Sequence, residues 1–315
     1  MDNQIWTVLG AGSIGCLWAA SLCHKGFPTQ LILKNERFYS LPATVFSDNS
    51  SDKKTREIKL KLCYQGNAQT FNMPVTCPAD LQAPVTRLII CTKAQDALNA
   101  IESIADRLAD DCKILLLQNG MGSQRSIADT FSHLSVWAGS ATDGAYLNAS
   151  FDVHHAGRGI TTIGSLNRAC RDNDFEALLT EFRLNVQQTP DIENILWTKL
   201  AINCCINGLT ALFNCKNGDL LDGGAKQSWL DQLIIETAQV LDAYQIPVYD
   251  LYHTVHHVCR ITAHNVSSTC QDARMNRTTE LAFINRFLLK KAHDRSIQVS
   301  SHEQLMAALA KRGIH

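Results

Sequence analysis

The sequence predicts two halves of different class: an α/β N-terminal domain over 1–189, followed by an all-α C-terminal domain over 190–315. Three observations carry this. Short apolar runs alternate with helical patterns up to about residue 188, as in a wound, mostly parallel sheet. A glycine pattern, Gly10-Ala11-Gly12-Ser13-Ile14-Gly15, joins the first apolar run to the first helix. Beyond Thr189-Pro190 the pattern is helical to the end, with few strand signals.

Bulk properties bound the function classes. A chain of 315 residues suits two domains of ordinary size, and 45% hydrophobic residues suffice for a proper core. Net charge is −1 with no basic stripe, so nucleic acid is not an expected partner. Asp2 precedes a strand-like segment, where a signal peptide would place basic and then apolar residues; a cytoplasmic protein is the expectation. The 12 cysteines form no C-x-x-C pair, so neither a zinc ribbon nor a thioredoxin-like site is indicated. Buried free thiols in a reducing compartment are expected instead.

In chain order, Gln4 to Leu9 reads as a buried strand, and the helix after the glycines runs to about Lys25. G-x-G-x-x-G between a strand and a helix is a dinucleotide-binding signature of a Rossmann-type domain. Gly10 permits the tight turn, Gly12 lets backbone approach a pyrophosphate, and Gly15 lets helix and strand pack closely. The helix N-terminus offers amide donors to the phosphates. Thr29 to Leu33 is the second strand, ending at Lys34 with Arg37 three residues on. A cation there suits a 2′-phosphate and favours NADPH over NADH, although Glu36 lies between the two. The alternative is that both cations are solvated loop residues.

From Ser40 to Glu57 the chain is polar and loop-like. Ile58 to Tyr64 and Gln69 to Val75 read as an inserted hairpin around Gln65-Gly66-Asn67. Thr86 to Cys91 and Lys113 to Leu117 are buried strands, ending at Lys93 and at Asn119. Both residues lie where ligands bind in an open α/β sheet, at strand C-termini. Ser135 to Leu147 holds a further strand, with Gly139, Asp143, Gly144 and Ala145 at its end. Ala149 to Gly164 reads as a second hairpin around Gly157-Arg158-Gly159. Asn173 to Arg183 reads as an amphipathic helix and Asn185 to Gln188 as a last strand.

The second half centres on Leu196 to Gly218, a mostly apolar stretch carrying Lys199, Asn203 and Asn207 at spacings of four. At about 100° per residue these three make one polar stripe on a buried helix. Asn is poor in helix interiors, so the stripe needs polar partners: a substrate, or a seam between helices. A lysine and several Asn within about 20 residues argue against a membrane span. Gln227 to Tyr244 and Tyr249 to Ala263 are further helices. The latter has His253 and His257 at i, i+4 spacing, but no third ligand stands at a convincing position, and no metal is expected. Asn265 to Thr269 interrupts the helical run, and Glu280 falls in the first turn of an expected helix from Leu281 to Leu289. There it satisfies the helix dipole or binds a substrate hydroxyl.

Over essentially its full length the chain resembles the ketopantoate reductase (2-dehydropantoate 2-reductase) family. The carrying motifs are G-A-G-S-I-G at Gly10, C-T-K-A-Q at Lys93, Q-N-G-M-G at Asn119, L-W-T-K-L-A-I-N-C-C-I-N at Lys199, N-C-K-N-G at Asn217, N-V-S-S at Ser268 and T-T-E at Glu280. The resemblance implies NADPH-dependent reduction of ketopantoate to pantoate. It implies that Lys199 is the proton donor, and that Asn203, Asn207, Asn217 and Ser268 contact substrate. Asn119 matches a residue near both nicotinamide and substrate, and Glu280 a carboxylate at their junction. Gly10 to Gly15, Lys93 and Ala145 match cofactor contacts, and Lys34 the cation that takes the 2′-phosphate. Members of the family often carry a polar non-acidic residue where Asp143 stands, which bears on cofactor geometry.

The chemistry agrees with the residue types. Hydride delivery to a 2-keto carbon makes an alkoxide, which an ammonium stabilises and then protonates. Partial desolvation on an apolar helix brings a lysine toward a useful acidity. Asparagines position hydroxyl and carboxylate without repelling an anionic substrate. The site is expected in a cleft between the halves, with a homodimer compatible with this arrangement. Two rivals remain open: a reductase of another 2-keto acid, and an NADP-binding regulator without turnover.

Overall fold

The computed structural model describes residues 4–46, 55–82, 84–179 and 183–315. Asp2, part of the expected loop around 47–54, and residues 180–182 of the expected helix lie outside the described residues. The chain divides into two compact units: Met1–Gln118 with Ser123–Ile192, and Asn119–Gly122 with Glu193–His315.

Unit 1 is built as β1 (Trp6–Leu9), α1 (Ser13–Lys25), β2 (Thr29–Ile32), α2 (Asn35–Ser40), β3 (Arg56–Tyr64), β4 (Asn67–Thr76), β5 (Val85–Ile90), α3 (Ala94–Glu102), β6 (Leu108–Leu116), α4 (Ser123–Thr130), β7 (Ser135–Ala141), β8 (Gly144–Ala149), β9 (Asp152–Gly157), β10 (Ile160–Ser165), α5 (Glu176–Leu179) and β11 (Asn185–Gln188). One sheet takes them in the order β11-β10-β7-β6-β5-β1-β2-β4-β3-β9-β8. β1 pairs in parallel with β2 on one side and β5 on the other, so the winding reverses beside β1. That is the switch point at which an open α/β sheet binds ligands. Trp6, Val8, Leu88, Ile89 and Ile90 are fully buried, which is why β1 and β5 read as unbroken apolar runs.

This is the expected Rossmann-type domain with inserted hairpins, but the hairpins are not all where periodicity puts them. β3 and β4 pair antiparallel as expected. The strand expected within Ser135 to Leu147 is β7, and a second strand, β8, begins at Gly144 within the same stretch. β7 joins β6 and β10, whereas β8 pairs with β9 at the far edge of the sheet. The break is polar. Thr142 exchanges hydrogen bonds with Ile160, and the Asp143 carboxylate accepts from Gly159 N at 3.0 Å. The expected hairpin over 149–164 is likewise corrected: β9 pairs with β3 and β8, and β10 with β7 and β11. Gly157-Arg158-Gly159 does end a strand, but its flanks go to opposite ends of the sheet. Of the expected helix over 173–183, residues 173–175 form a turn and Glu176–Leu179 are helical as α5.

Unit 2 holds α6 (Ile192–Phe213), α7 (Ala225–Ala243), α8 (Leu251–Ile261), α9 (Ser268–Arg274), α10 (Asn285–Asp294) and α11 (Ser300–Lys311), with a 3₁₀ segment at Asn217–Leu221. α6 is long and apolar enough to cross a membrane by length and composition, and 72% of its most apolar window is buried inside the protein. Leu200, Cys204, Cys205 and Leu209 are at most 1% exposed, so the apolar length is that of a central helix packed on most sides.

The expected helix from Leu281 to Leu289 starts later. Residues 281–284 form turns, α10 begins at Asn285, and the Glu280 carbonyl accepts from Phe283 N and Ile284 N. Glu280 therefore precedes a turn and is not in the first turn of the helix. α8 also begins later than expected, at Leu251. Asp250, in the left-handed region at φ 43°, caps it by accepting from His253 N.

Candidate active site

The glycine turn leads from β1 into α1 and has its geometry dictated from within. Gly10 sits at φ +103°, where a Cβ would lie 2.9 Å from Thr92 N. A Cβ on Gly15 would lie 1.9 Å from the Gly10 carbonyl oxygen. Those two glycines are required by packing. Gly12 is not: a Cβ there meets nothing within 4 Å. It stands at the N-cap of α1, where no side chain of its own caps the first-turn amides. A glycine that the protein does not need, at a helix N-terminus, suits close approach of a pyrophosphate.

A groove of ≈ 480 Å³ opens from this turn, between the end of β2 and the start of α3. Gly10, Ala11, Gly12, Lys34 and Lys93 line it. Its two second-strand cations behave differently. Arg37 donates from Nη1 to the Ala11 carbonyl at 3.0 Å and lies over the Phe151 ring, so it braces the turn. Lys34 is held at the rim by Asp96, Nζ to Oδ1 3.0 Å. Neither is simply solvated. Ala145 is half-buried against the unit 1 core, and Ser13 and Ile14 open α1. A larger cavity, ≈ 760 Å³, lies beside Arg158 and Arg183 and is lined by none of the site residues expected from sequence.

Asp143 is consumed structurally. Its side chain is 1% exposed and accepts from Gly159 N, and its Oδ1 lies 2.9 Å from Nε2 of buried His155. The carboxylate thus pins the β7–β8 break to the β9–β10 connection.

In unit 2 the polar stripe on α6 is real. Lys199 and Asn203 are half-buried and Asn207 is 7% exposed. The side-chain amides of Asn203 and Asn207 have no hydrogen bond among the described residues. A satisfied seam between helices does not account for them. Asn217 donates from Nδ2 to Thr262 Oγ1 at 2.9 Å, while its buried Oδ1 has no partner. Ser268 is exposed at the start of α9. Its neighbour Ser267 does the structural work, capping α9 through Cys270 N and bonding Thr210 Oγ1 at 2.7 Å.

Asn119 and Glu280, 161 residues apart, meet: Nδ2 donates to Oε2 at 3.3 Å. The surrounding backbone fixes them. Met121 N donates to the Phe283 carbonyl at 2.8 Å, and at Gly120 (φ +80°) a Cβ would lie 2.4 Å from that oxygen. The short segment Asn119–Gly122 is in this way docked on the turn that follows Glu280. Asn285, which no sequence motif marks, is fully buried and donates to the Cys204 carbonyl at 2.9 Å, tying α10 to α6 beside Asn203. A lone Asn in the apolar run Leu281 to Leu289 was the signal available.

Comparison with known proteins decides the family. The model of ketopantoate reductase PanE/ApbA matches residues 6–168, and the model of its C-terminal domain matches 191–313. The chain belongs to the ketopantoate reductase family. The 2-dehydropantoate 2-reductase of Escherichia coli O157:H7 is 31% identical over 310 residues, 97% of this chain and 94% of that protein. That of Yersinia pestis is 30% identical over 312 residues, again 97% and 94%. Among solved structures, a ketopantoate reductase from Ralstonia eutropha JMP134 matches with TM-score 0.82 at 20% identity, over 98% of this chain and 100% of that one. D-mandelate dehydrogenase, solved with NADH and anilino(oxo)acetate, matches with TM-score 0.83 at 19% identity, over 98% of each chain. At such identities these structures establish shared fold. As a ketopantoate reductase family member, the chain is an oxidoreductase of the nicotinamide-dependent kind.

Proposed function

We propose that this family member reduces 2-dehydropantoate (ketopantoate) to (R)-pantoate with NADPH, a step toward pantothenate and coenzyme A. The observation that carries the reading is the polar face of α6. It presents a half-buried lysine and two asparagines whose amides no described protein group satisfies, in a chain whose near-full-length relatives are 2-dehydropantoate 2-reductases.

NADPH, when bound, supplies a hydride to the keto carbon. The α/β half, 1–189, would hold it, with the backbone from Gly10 to Gly15 on the pyrophosphate, Lys34 toward the 2′-phosphate, and Lys93, Asn119 and Ala145 as further contacts. The helical half, 190–315, would hold the substrate. Lys199 places its ammonium at the keto oxygen, offsets the negative charge that develops there, and passes a proton to it. Asn203, Asn207, Asn217 and Ser268 orient the hydroxyl and carboxylate by hydrogen bonds, which positions the reacting carbon without adding charge. Glu280 accepts a substrate hydroxyl and, through its bond to Asn119, sets the direction in which that amide points.

The test is Lys199→Ala. Turnover with ketopantoate should fall about 10²-fold or more, the scale of one acid catalyst, with NADPH affinity by fluorescence titration unchanged. A variant that turns over at the parental rate removes Lys199 from the mechanism.

A further inference from the structure

The rim of the groove carries both signs of charge: Lys34, Arg37 and Lys93 line it, and so do Glu36 and Asp96. Lys34 caps the N-terminus of α2, and Asp96 lies in the first turn of α3, 62 positions later. They meet as an ion pair at 3.0 Å. The cation at the end of the second strand is therefore not a bare receptor for phosphate, because a carboxylate already engages it.

The two cofactors differ at this end of the groove. A ribose 2′-hydroxyl is a donor that a carboxylate accepts. A 2′-phosphate carries about −1.5 to −2 charge near neutral pH, is drawn to cations and is repelled by a carboxylate. Lys34 and Asp96 thus favour opposite cofactors. Their side chains are 59% and 39% exposed, so their mutual attraction is weak and does not bar a phosphate dianion from Lys34. The repulsion between Asp96 and the phosphate remains. Arg37 does not offset it freely, since its Nη1 is committed to the Ala11 carbonyl.

We propose that Asp96 is a specificity-determining residue: it competes with the 2′-phosphate for Lys34 and narrows the preference for NADPH over NADH. This rests on the reading of Lys34 as the 2′-phosphate cation. It predicts that the carboxylate, not the lysine alone, sets how strongly the chain discriminates between the two cofactors.

The experiment measures dissociation constants of the full chain for 2′,5′-ADP and 5′-AMP by calorimetry, and for NADPH and NADH by fluorescence. The proteins are the parent, Asp96→Asn, Lys34→Ala and the double variant. Asp96→Asn should tighten 2′,5′-ADP and NADPH about tenfold, the scale of removing one like charge at an exposed site. 5′-AMP should be unchanged and NADH unchanged or weaker. The gain should shrink in high salt. Lys34→Ala should weaken 2′,5′-ADP about tenfold, and the double variant should lie between the singles. Equal tightening of both cofactors by Asp96→Asn, or no change in either, overturns the proposal. If Lys34→Ala leaves 2′,5′-ADP binding intact, the reading of Lys34 fails and takes the proposal with it. If Lys34→Ala weakens binding and Asp96→Asn does nothing, that reading stands and the role of Asp96 falls. Melting temperatures of the ligand-free variants, close to the parental value, separate these outcomes from misfolding.

Discussion

At the scale of single residues, the informative ones are those whose hydrogen-bonding capacity the protein leaves unused. Buried Asn217 has one end of its amide spent on Thr262 and the other end without a partner. An unsatisfied buried carbonyl costs about 1–3 kcal/mol, a cost that a donor on a ligand removes. Asn217→Ala should therefore raise KM for ketopantoate about tenfold with a smaller change in kcat, as steady-state kinetics will read directly. Equal losses in kcat and kcat/KM would instead place Asn217 at the transition state. In the sequence, a motif singles out Asn217, and spacing on a helix singles out Lys199, Asn203 and Asn207 as candidates. The sequence does not show that Lys34 is paired with Asp96, or Asp143 with His155. Those pairs depend on which strands and helices become neighbours, and local pattern carries no trace of that.

At the scale of elements, the strand–turn–helix at the N-terminus separates glycines that packing requires from one that it does not. Gly15→Ala forces a Cβ against the Gly10 carbonyl oxygen at 1.9 Å and should lower the melting temperature sharply or prevent folding. Gly12→Ala meets no protein atom and should leave the ligand-free melting temperature almost unchanged, while weakening NADPH binding tenfold or more. Thermal melts and a cofactor titration of the two variants check this contrast. Intact NADPH affinity in Gly12→Ala would remove the pyrophosphate from that turn. β1, α1, β2, the β3–β4 hairpin and α6 were legible because their periodicity and turn residues agree with their final pairing. The pairing of β8 with β9 is not legible, because Thr142 and Asp143 separate β7 from β8 by only two residues. A break that short becomes decisive once Gly159 and Ile160 satisfy both side chains. The start of α10 is hidden for a related reason: an apolar turn at 281–284 has the composition of a helix.

For the molecule as a whole, acid stability follows from the helical unit. His302 is fully buried near the start of α11, its Nε2 within reach of Thr237 Oγ1, while Glu236 accepts from Ser301 N and His302 N. Burial pushes the imidazole down to about 4, from 6.5 when exposed. The unfolded chain thus binds the proton more readily. The stabilisation from neutral His302 is present in full above pH 6.5 and is lost as pH falls toward 4, a loss of about 3 kcal/mol at most. Melting temperatures taken between pH 7 and pH 4 should fall less steeply for His302→Gln than for the parent. The two-part architecture was legible in the change of pattern near Pro190, whereas the assignment of Asn119–Gly122 to the helical unit was not, because it rests on a backbone bond to Phe283. Reduction of ketopantoate with NADPH by this chain is tested most directly by one assay. It follows NADPH absorbance with purified protein and ketopantoate, with NADH and other 2-keto acids as comparisons. Fast oxidation with NADPH and ketopantoate, and little with the rest, is the predicted result. Oxidation with a different keto acid alone, or tight NADPH binding without turnover on any acid, would contradict it.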